Sequence, residues 1–216
     1  MTNTWECIII GGGPAGLSAA LSLGRARRRT LVIDAGRQSN LPAAGIGGLL
    51  GHDRRPPASL YEDGRAELQE YPTVELRGGE VCGAVAEADL VGEFVVTLAD
   101  GATERARRLL LATGMEYRHV DLPGIAERWG HTAFHCPFCH GWEVRGRPLA
   151  VLAAGPAGVH MARLLTAWSE DVTLLAREPV APEERDVLGR PPSVASAVAS
   201  GNFAGAMIVG DQLVGF

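Results

Sequence analysis

Short unbroken apolar runs, separated by Gly-rich turns and amphipathic stretches, pattern the chain from its first residues. Trp5 to Ile10 is apolar over the length of a strand buried on both faces. Gly11 to Gly16 makes a tight turn, and Leu17 to Leu23, with Ala and Leu on its packed face, reads as a helix. Thr30 to Ile33 is a second apolar strand that ends at Asp34. Strand, Gly turn, helix, strand is one βαβ unit, the building block of a parallel sheet. Residues 37 to 58 are rich in Gly and Pro and predict a long loop, followed by an amphipathic helix over Leu60 to Glu70. Val74 to Leu76 and Glu80 to Ala86 predict strands. Phe94 to Leu98 and Arg107 to Leu111 flank Asp100-Gly101 in the manner of a hairpin.

Beyond a linker with Pro123 and Gly124 the pattern recurs. Leu149 to Ala153 reads as a strand, Ala154 to Gly158 as a turn, Val159 to Trp168 as a helix and Val172 to Leu175 as a strand, a second βαβ unit. The two units share one element: Gly13-Pro14-Ala15-Gly16 is repeated as Gly155-Pro156-Ala157-Gly158. Pro179 to Pro192 is Pro-rich and charged, and Ser193 to Leu213 reads as an Ala-rich, mostly apolar helix. The fold class is α/β, with a Rossmann-like domain over 1–116, an incomplete second domain over 117–185 and a C-terminal segment, 186–216, that returns to the first domain.

Composition narrows the function classes. The 216 residues are 46% hydrophobic and 21% charged, as a globular chain is. The net charge of −5 argues against nucleic acid as a partner, because phosphate binding needs a basic field. All 20 basic residues are Arg, from which no function follows. No stretch approaches the roughly 18 apolar residues of a membrane span, and no signal peptide is visible. The expectation is a soluble, cytoplasmic protein with no membrane partner.

Two motifs carry chemistry. Gly11-Gly12-Gly13-Pro14-Ala15-Gly16 fits G-x-G-x-x-G. Its first Gly permits the turn, the second admits a pyrophosphate to the backbone, and the third lets the helix pack on the strand. The helix N-terminus then presents free N–H groups to the phosphates. Asp34, 18 residues after Gly16, stands at a strand end, where a carboxylate accepts hydrogen bonds from ribose hydroxyls. The second motif is Cys136-Pro137-Phe138-Cys139, whose spacing permits a reversible disulfide. A helix beginning there favours the thiolate of its first cysteine. His140 follows directly as a proton carrier or a surface imidazole, with His135 a weaker candidate. A structural zinc site needs four ligands, and the chain offers no second Cys or His pair of suitable spacing, so no metal is expected. Cys7 and Cys82 lie in strand-like surroundings. Arg25, Arg27, Arg28 and Arg29 read as a solvated helix end, and Trp142 and Trp168 as packing residues.

Together these segments resemble the low-molecular-weight thioredoxin-reductase-like flavoproteins. Gly11 to Gly16 resembles their FAD pyrophosphate loop, and Leu109 to Gly114 the strand end that returns beside the flavin. His135 to Glu143 resembles the subgroup containing the gliotoxin- and holomycin-type dithiol oxidases. The resemblance implies FAD held by Gly11, Gly13, Pro14, Ala15, Gly16, Asp34, Asn40, Val81, Ala112, Thr113 and Gly114. It also implies electron exchange with the Cys136/Cys139 pair, with His140 alongside. Cys136 would face the substrate and Cys139 the flavin. The implied partner is a small dithiol or disulfide, or a thioredoxin-like protein, and the implied assembly a homodimer. In the reductases the second domain binds NADPH. Here Ala153 stands where the tight-turn Gly is expected and only Arg177 follows the next strand, so the resemblance leaves NADPH as a doubtful second cofactor. The second domain is short against the family pattern, which predicts an unpaired sheet edge that packs on the first domain or on a second copy. Gly210-Asp211 resembles the family's Gly-Asp flavin motif but falls inside the expected tail helix. Set against a flavin-dependent oxidoreductase is a non-catalytic FAD- or partner-binding module.

Overall fold

A computed structural model describes residues 4–86, 93–153, 155–176 and 194–196. Contacts divide the chain into two units, Met1–Leu41 with Arg55–Glu116, and Pro42–Arg54 with Tyr117–Phe216.

The first unit is built on β1 (Cys7–Ile10), β2 (Thr30–Asp34), β3 (Val74–Gly78) and β7 (Leu109–Leu111), all parallel, in the order β3-β2-β1-β7. Both faces are covered, which explains why the strands read as continuous apolar runs. Successive side chains point to opposite faces. Ile8, Leu31 and Ile33 therefore join Trp5, Val96, Leu98 and Ala106 in one cluster, while Cys7, Ile9 and Val32 join Leu17, Ala20, Tyr61 and Leu68 in another. The second cluster lies under α1 (Pro14–Arg25) and α2 (Pro57–Leu68). In α1 the buried positions are Gly16, Leu17, Ala20 and Gly24, one stripe at helical spacing. The helix ends where Arg27 turns left-handed at φ 59° and the Arg28 N–H reaches the Leu23 carbonyl at 2.9 Å.

The first cluster lies under an antiparallel sheet of β4 (Val81–Ala86), β5 (Phe94–Leu98) and β6 (Thr103–Ala106). This corrects the expected hairpin. The strand returning from Asp100-Gly101 is β6, whereas Leu109–Leu111 leaves for the parallel sheet. Trp5 explains the switch: it bridges to the fully buried Ala106, and the Trp5 carbonyl takes the Arg107 N–H at 3.0 Å, turning the chain towards β1.

In the second unit, β8 (Leu149–Ala153), α4 (Gly155–Leu165) and β9 (Val172–Ala176) form the second βαβ element around Val151, Val159, Ala162, Leu165 and Leu174. Its helix starts earlier than the sequence suggests, at Gly155, whose left-handed φ of 61° marks the bend out of β8. The expected tail helix is corrected at its start: Val194–Ser196 is a strand, β10, parallel to β9. The remainder of that tail, Gly210-Asp211 and Arg177 lie outside the described residues. The strand order is β10-β9-β8. Among the described residues, no helix is long and apolar enough to cross a membrane.

Leu31 has no exposed surface and sits between β1 and β3. Leu31→Ala is expected to lower stability by about 2–5 kcal/mol, read as a lower midpoint in chemical denaturation with an unchanged slope.

Candidate cofactor cradle and cysteine pair

The turn after β1 is shaped by what its residues lack. Gly11 has φ 109°, and a Cβ there would run into the Ala112 carbonyl. A Cβ on Gly16 would overlap the Gly11 carbonyl and stand 3.4 Å from the Ala112 side chain. Gly11 is pinned by its N–H to the Ile33 carbonyl at 2.8 Å, and Ala112 by its N–H to the Ile10 carbonyl at 2.9 Å. The first helical turn of α1 carries Pro14 at its start, has no side-chain cap and contains no acidic residue. Pro14 lacks an N–H, and those of Ala15 and Gly16 have no acceptor inside the helix. Gly13 faces open space apart from the Gln38 side chain, 3.8 Å from where its Cβ would stand.

Asp34, at the end of β2, closes one side of this turn. Its Oδ1 accepts the N–H groups of Gly12 at 3.2 Å and Gly36 at 3.1 Å. Gln38 Nε2 reaches both carboxylate oxygens at 3.0 Å, and Arg65 Nη2 reaches Oδ2 at 2.8 Å. Burial raises the Asp34 pKa, but the Arg65 guanidinium, the two backbone amides and Gln38 outweigh it and hold the carboxyl below the usual carboxylate range. Gln38 and Arg65 escaped the sequence reading. Arg65 comes from α2, 31 residues away, and no local pattern ties it to Asp34.

The structure brings Gly11, Gly13, Pro14, Ala15, Gly16, Asp34 and Ala112 to this turn, with Thr113 following Ala112 and Gly114 left-handed at φ 66°. Asn40 stands apart, its Oδ1 accepting the Tyr61 hydroxyl at 2.7 Å. Val81 begins β4, where the pairing with β5 shifts register, and packs against the Trp5 cluster. The four arginines at the end of α1 are exposed, Arg28 pairing with Glu6 at 3.1 Å and Arg29 lying over Trp5.

In the second unit, Cys136 and Cys139 form a disulfide, with Cα atoms 5.3 Å apart, across the short helix α3 (Pro137–His140). Cys136 caps this helix itself: its Sγ accepts the Cys139 N–H at 3.2 Å, a contact that favours negative charge on this sulfur. The turn rests on Trp168. A Cβ on Gly141 would meet the indole at 2.9 Å, and Phe138 packs edge-on to it at 5.3 Å. Trp168 is the packing residue expected, whereas Trp142 is exposed and covered by the Arg145 guanidinium at 3.9 Å. A loop residue, Gly47, lies against the Cys139 backbone, where a Cβ would not fit. Both ring nitrogens of His140 are buried without a hydrogen-bond partner. Burial lowers its pKa, opposed more weakly by the Cys136 backbone and the Glu143 carboxylate. His135 stacks under Trp129, 15° from parallel, lines a cavity of about 560 Å3 with Tyr117, Val151 and Met161, and is lowered by burial and then by His140. Cys7 and Cys82 are unpaired.

A parallel βαβ unit with an open, uncapped glycine turn, together with a Cys-x-x-Cys disulfide on the segment that precedes a second βαβ unit, defines the dinucleotide-dependent disulfide oxidoreductases. The chain belongs to the pyridine nucleotide-disulphide oxidoreductase family, whose model matches residues 5–187. It is 38% identical over 179 residues to thioredoxin reductase tcpT of Claviceps purpurea, covering 80% of this chain and 56% of that protein. The crystal structure of HlmI superposes with a TM-score of 0.84 at 38% identity, over 91% of this chain and 63% of that one. A putative thioredoxin reductase, TrxB, from Bacillus anthracis gives a TM-score of 0.84 at 30% identity, over 89% and 64%. The chain thus spans a little over half the length of its curated relative.

The thioredoxin-reductase-like members of the family are FAD-dependent oxidoreductases, and the first unit fits that cofactor. The glycines leave a cradle at the backbone, and the helix end above it has neither a side-chain cap nor an acidic residue in its first turn. The second turn is less open: Ala153 is almost fully buried where the first glycine of that fingerprint falls, while Gly158 keeps α4 close to it.

Asp34→Asn is expected to lower stability by about 1–3 kcal/mol at neutral pH, since its hydrogen bonds are to a charged group. The folded-state pKa is depressed. The carboxylate's contribution is therefore complete above the unfolded value near 3.9 and fades as pH falls through the lower folded value. Denaturation curves of variant and parent should converge in acid. Gly11→Ala is expected to lose retained flavin and, being strained at positive φ as well as crowded, to unfold earlier on heating.

Proposed function

We propose that the protein is an FAD-dependent thiol–disulfide oxidoreductase in which Cys136 and Cys139 pass an electron pair between a dithiol substrate and the flavin. The Cys136–Cys139 disulfide in a chain of this family carries the reading. A substrate thiolate attacks Cys136, forming a mixed disulfide as the Cys136–Cys139 bond breaks and Cys139 leaves as thiolate. The second substrate thiolate attacks the substrate sulfur of that bond. This releases oxidised substrate and leaves Cys136 as a thiolate, the form its bond from the Cys139 amide favours. His140, kept neutral by burial, takes up a thiol proton. FAD, when bound, supplies a two-electron acceptor that lets the pair return to the disulfide. The N-terminus of helix α1 would hold its pyrophosphate, and Asp34 would be the acceptor for its ribose hydroxyls. The substrate is a dithiol or disulfide, either a small molecule or one carried by a thioredoxin-like protein.

The purified protein is expected to carry a flavin absorption band that bleaches on anaerobic addition of a dithiol. In Cys136→Ser the bleaching rate should fall by a factor of about 100 or more, with flavin content unchanged. Colourless protein that takes up no added FAD would refute the assignment, and a Cys136→Ser variant bleaching at the parent rate would remove the cysteine from it.

A further inference from the structure

We infer that Phe134 is a positioning residue for His140, its ring stacked near-parallel and offset on the imidazole, with centroids 5.2 Å apart and planes 16° from parallel. The inference rests on the proton-transfer role given to His140 above. It concerns what holds that ring rather than what the ring does.

A histidine that moves protons is usually aimed by a hydrogen bond from its other nitrogen to a carboxylate or carbonyl, which sets both tautomer and plane. Both nitrogens of His140 are buried and neither makes a hydrogen bond of good geometry; the Cys136 backbone lies near enough to favour the cation but does not aim the ring as a well-formed bond would. A buried polar atom without a partner is uncommon and costs stability. The present arrangement leaves both nitrogens uncommitted to protein groups. Packing is then what fixes the plane of the ring, and the stacked face is Phe134. This residue stands on the segment entering the cysteine turn, two positions before Cys136, while His140 ends α3. The stack therefore ties the entry of the turn to its exit.

Phe134 also covers one face of the imidazole with hydrocarbon. Burial is the largest influence on His140 and disfavours its charged form. The other groups facing it are the Cys136 backbone and Glu143, which favour the cation, and His131, which opposes it; His135 is itself lowered by His140. Losing the ring at 134 admits water to the imidazole and leaves Glu143 and the Cys136 carbonyl in place, so the histidine regains protons at a higher pH.

The test uses the flavin-loaded protein and two readings: the NMR titration of the His140 ring, and the pH profile of dithiol-driven flavin bleaching. Phe134→Leu is expected to move the NMR midpoint up towards the ordinary imidazole value and to carry the acidic limb of the rate profile with it. The bleaching rate near that limb should fall about threefold or more, with retained flavin and thermal stability close to the parent. Phe134→Tyr, which keeps a stacked ring, is expected to preserve both midpoint and profile. An unmoved midpoint in Phe134→Leu overturns the inference, as does an equal loss in the Leu and Tyr variants. If the midpoint moves in Phe134→Leu but not in Phe134→Tyr while bleaching stays independent of pH, the stack stands and the proton role of His140 falls.

Discussion

Around the turn between β1 and α1, three stretches of backbone meet with no room for side chains. The Gly11 carbonyl, the Gly16 Cα and the Ala112 carbonyl stand so close that a single methyl on Gly11 or Gly16 would overlap its neighbour. This contact sets the start of α1, because the helix can approach the sheet only where Gly16 meets Gly11. It also sets the path of β7, because the Ala112 N–H is taken by the Ile10 carbonyl. The helix end that results is bare, and a bare helix end over a gap in the side-chain layer is where a pyrophosphate can come to the backbone.

Asp34 shows how such a cradle is furnished from outside the local sequence. Its carboxylate gathers two backbone amides, Gln38 and Arg65, so its position is fixed by the turn, by the loop after β2 and by α2 together. The half-exposed Arg65 pair alone would be worth little. Its weight comes from sharing one carboxylate with three other donors that are already ordered by the fold.

The parallel framework was legible because strands buried on both faces must be apolar through their length, as Cys7–Ile10 and the Leu31–Ile33 stretch of β2 are. The glycine turns and the cysteine pair were legible for the same reason: their chemistry depends on residue type at fixed spacing. The switch of the chain between β6 and β7 was not. Phe94 to Leu98 and Leu109 to Leu111 are equally good strands, and what separates them is a bridge from Trp5, about a hundred residues earlier. Arg65 and Phe134 were missed likewise, because an ion pair and a ring stack leave no periodicity behind.

The contact of Trp168 with the cysteine turn reaches beyond packing. The indole lies against Gly141 and packs edge-on with Phe138, one of the two residues between the cysteines. Any rearrangement of that turn between its oxidised and reduced forms changes the surroundings of a fluorophore in the turn that follows α4. The molecule thereby carries an intrinsic optical gauge of its own sulfur chemistry, one that needs neither a label nor a coloured cofactor.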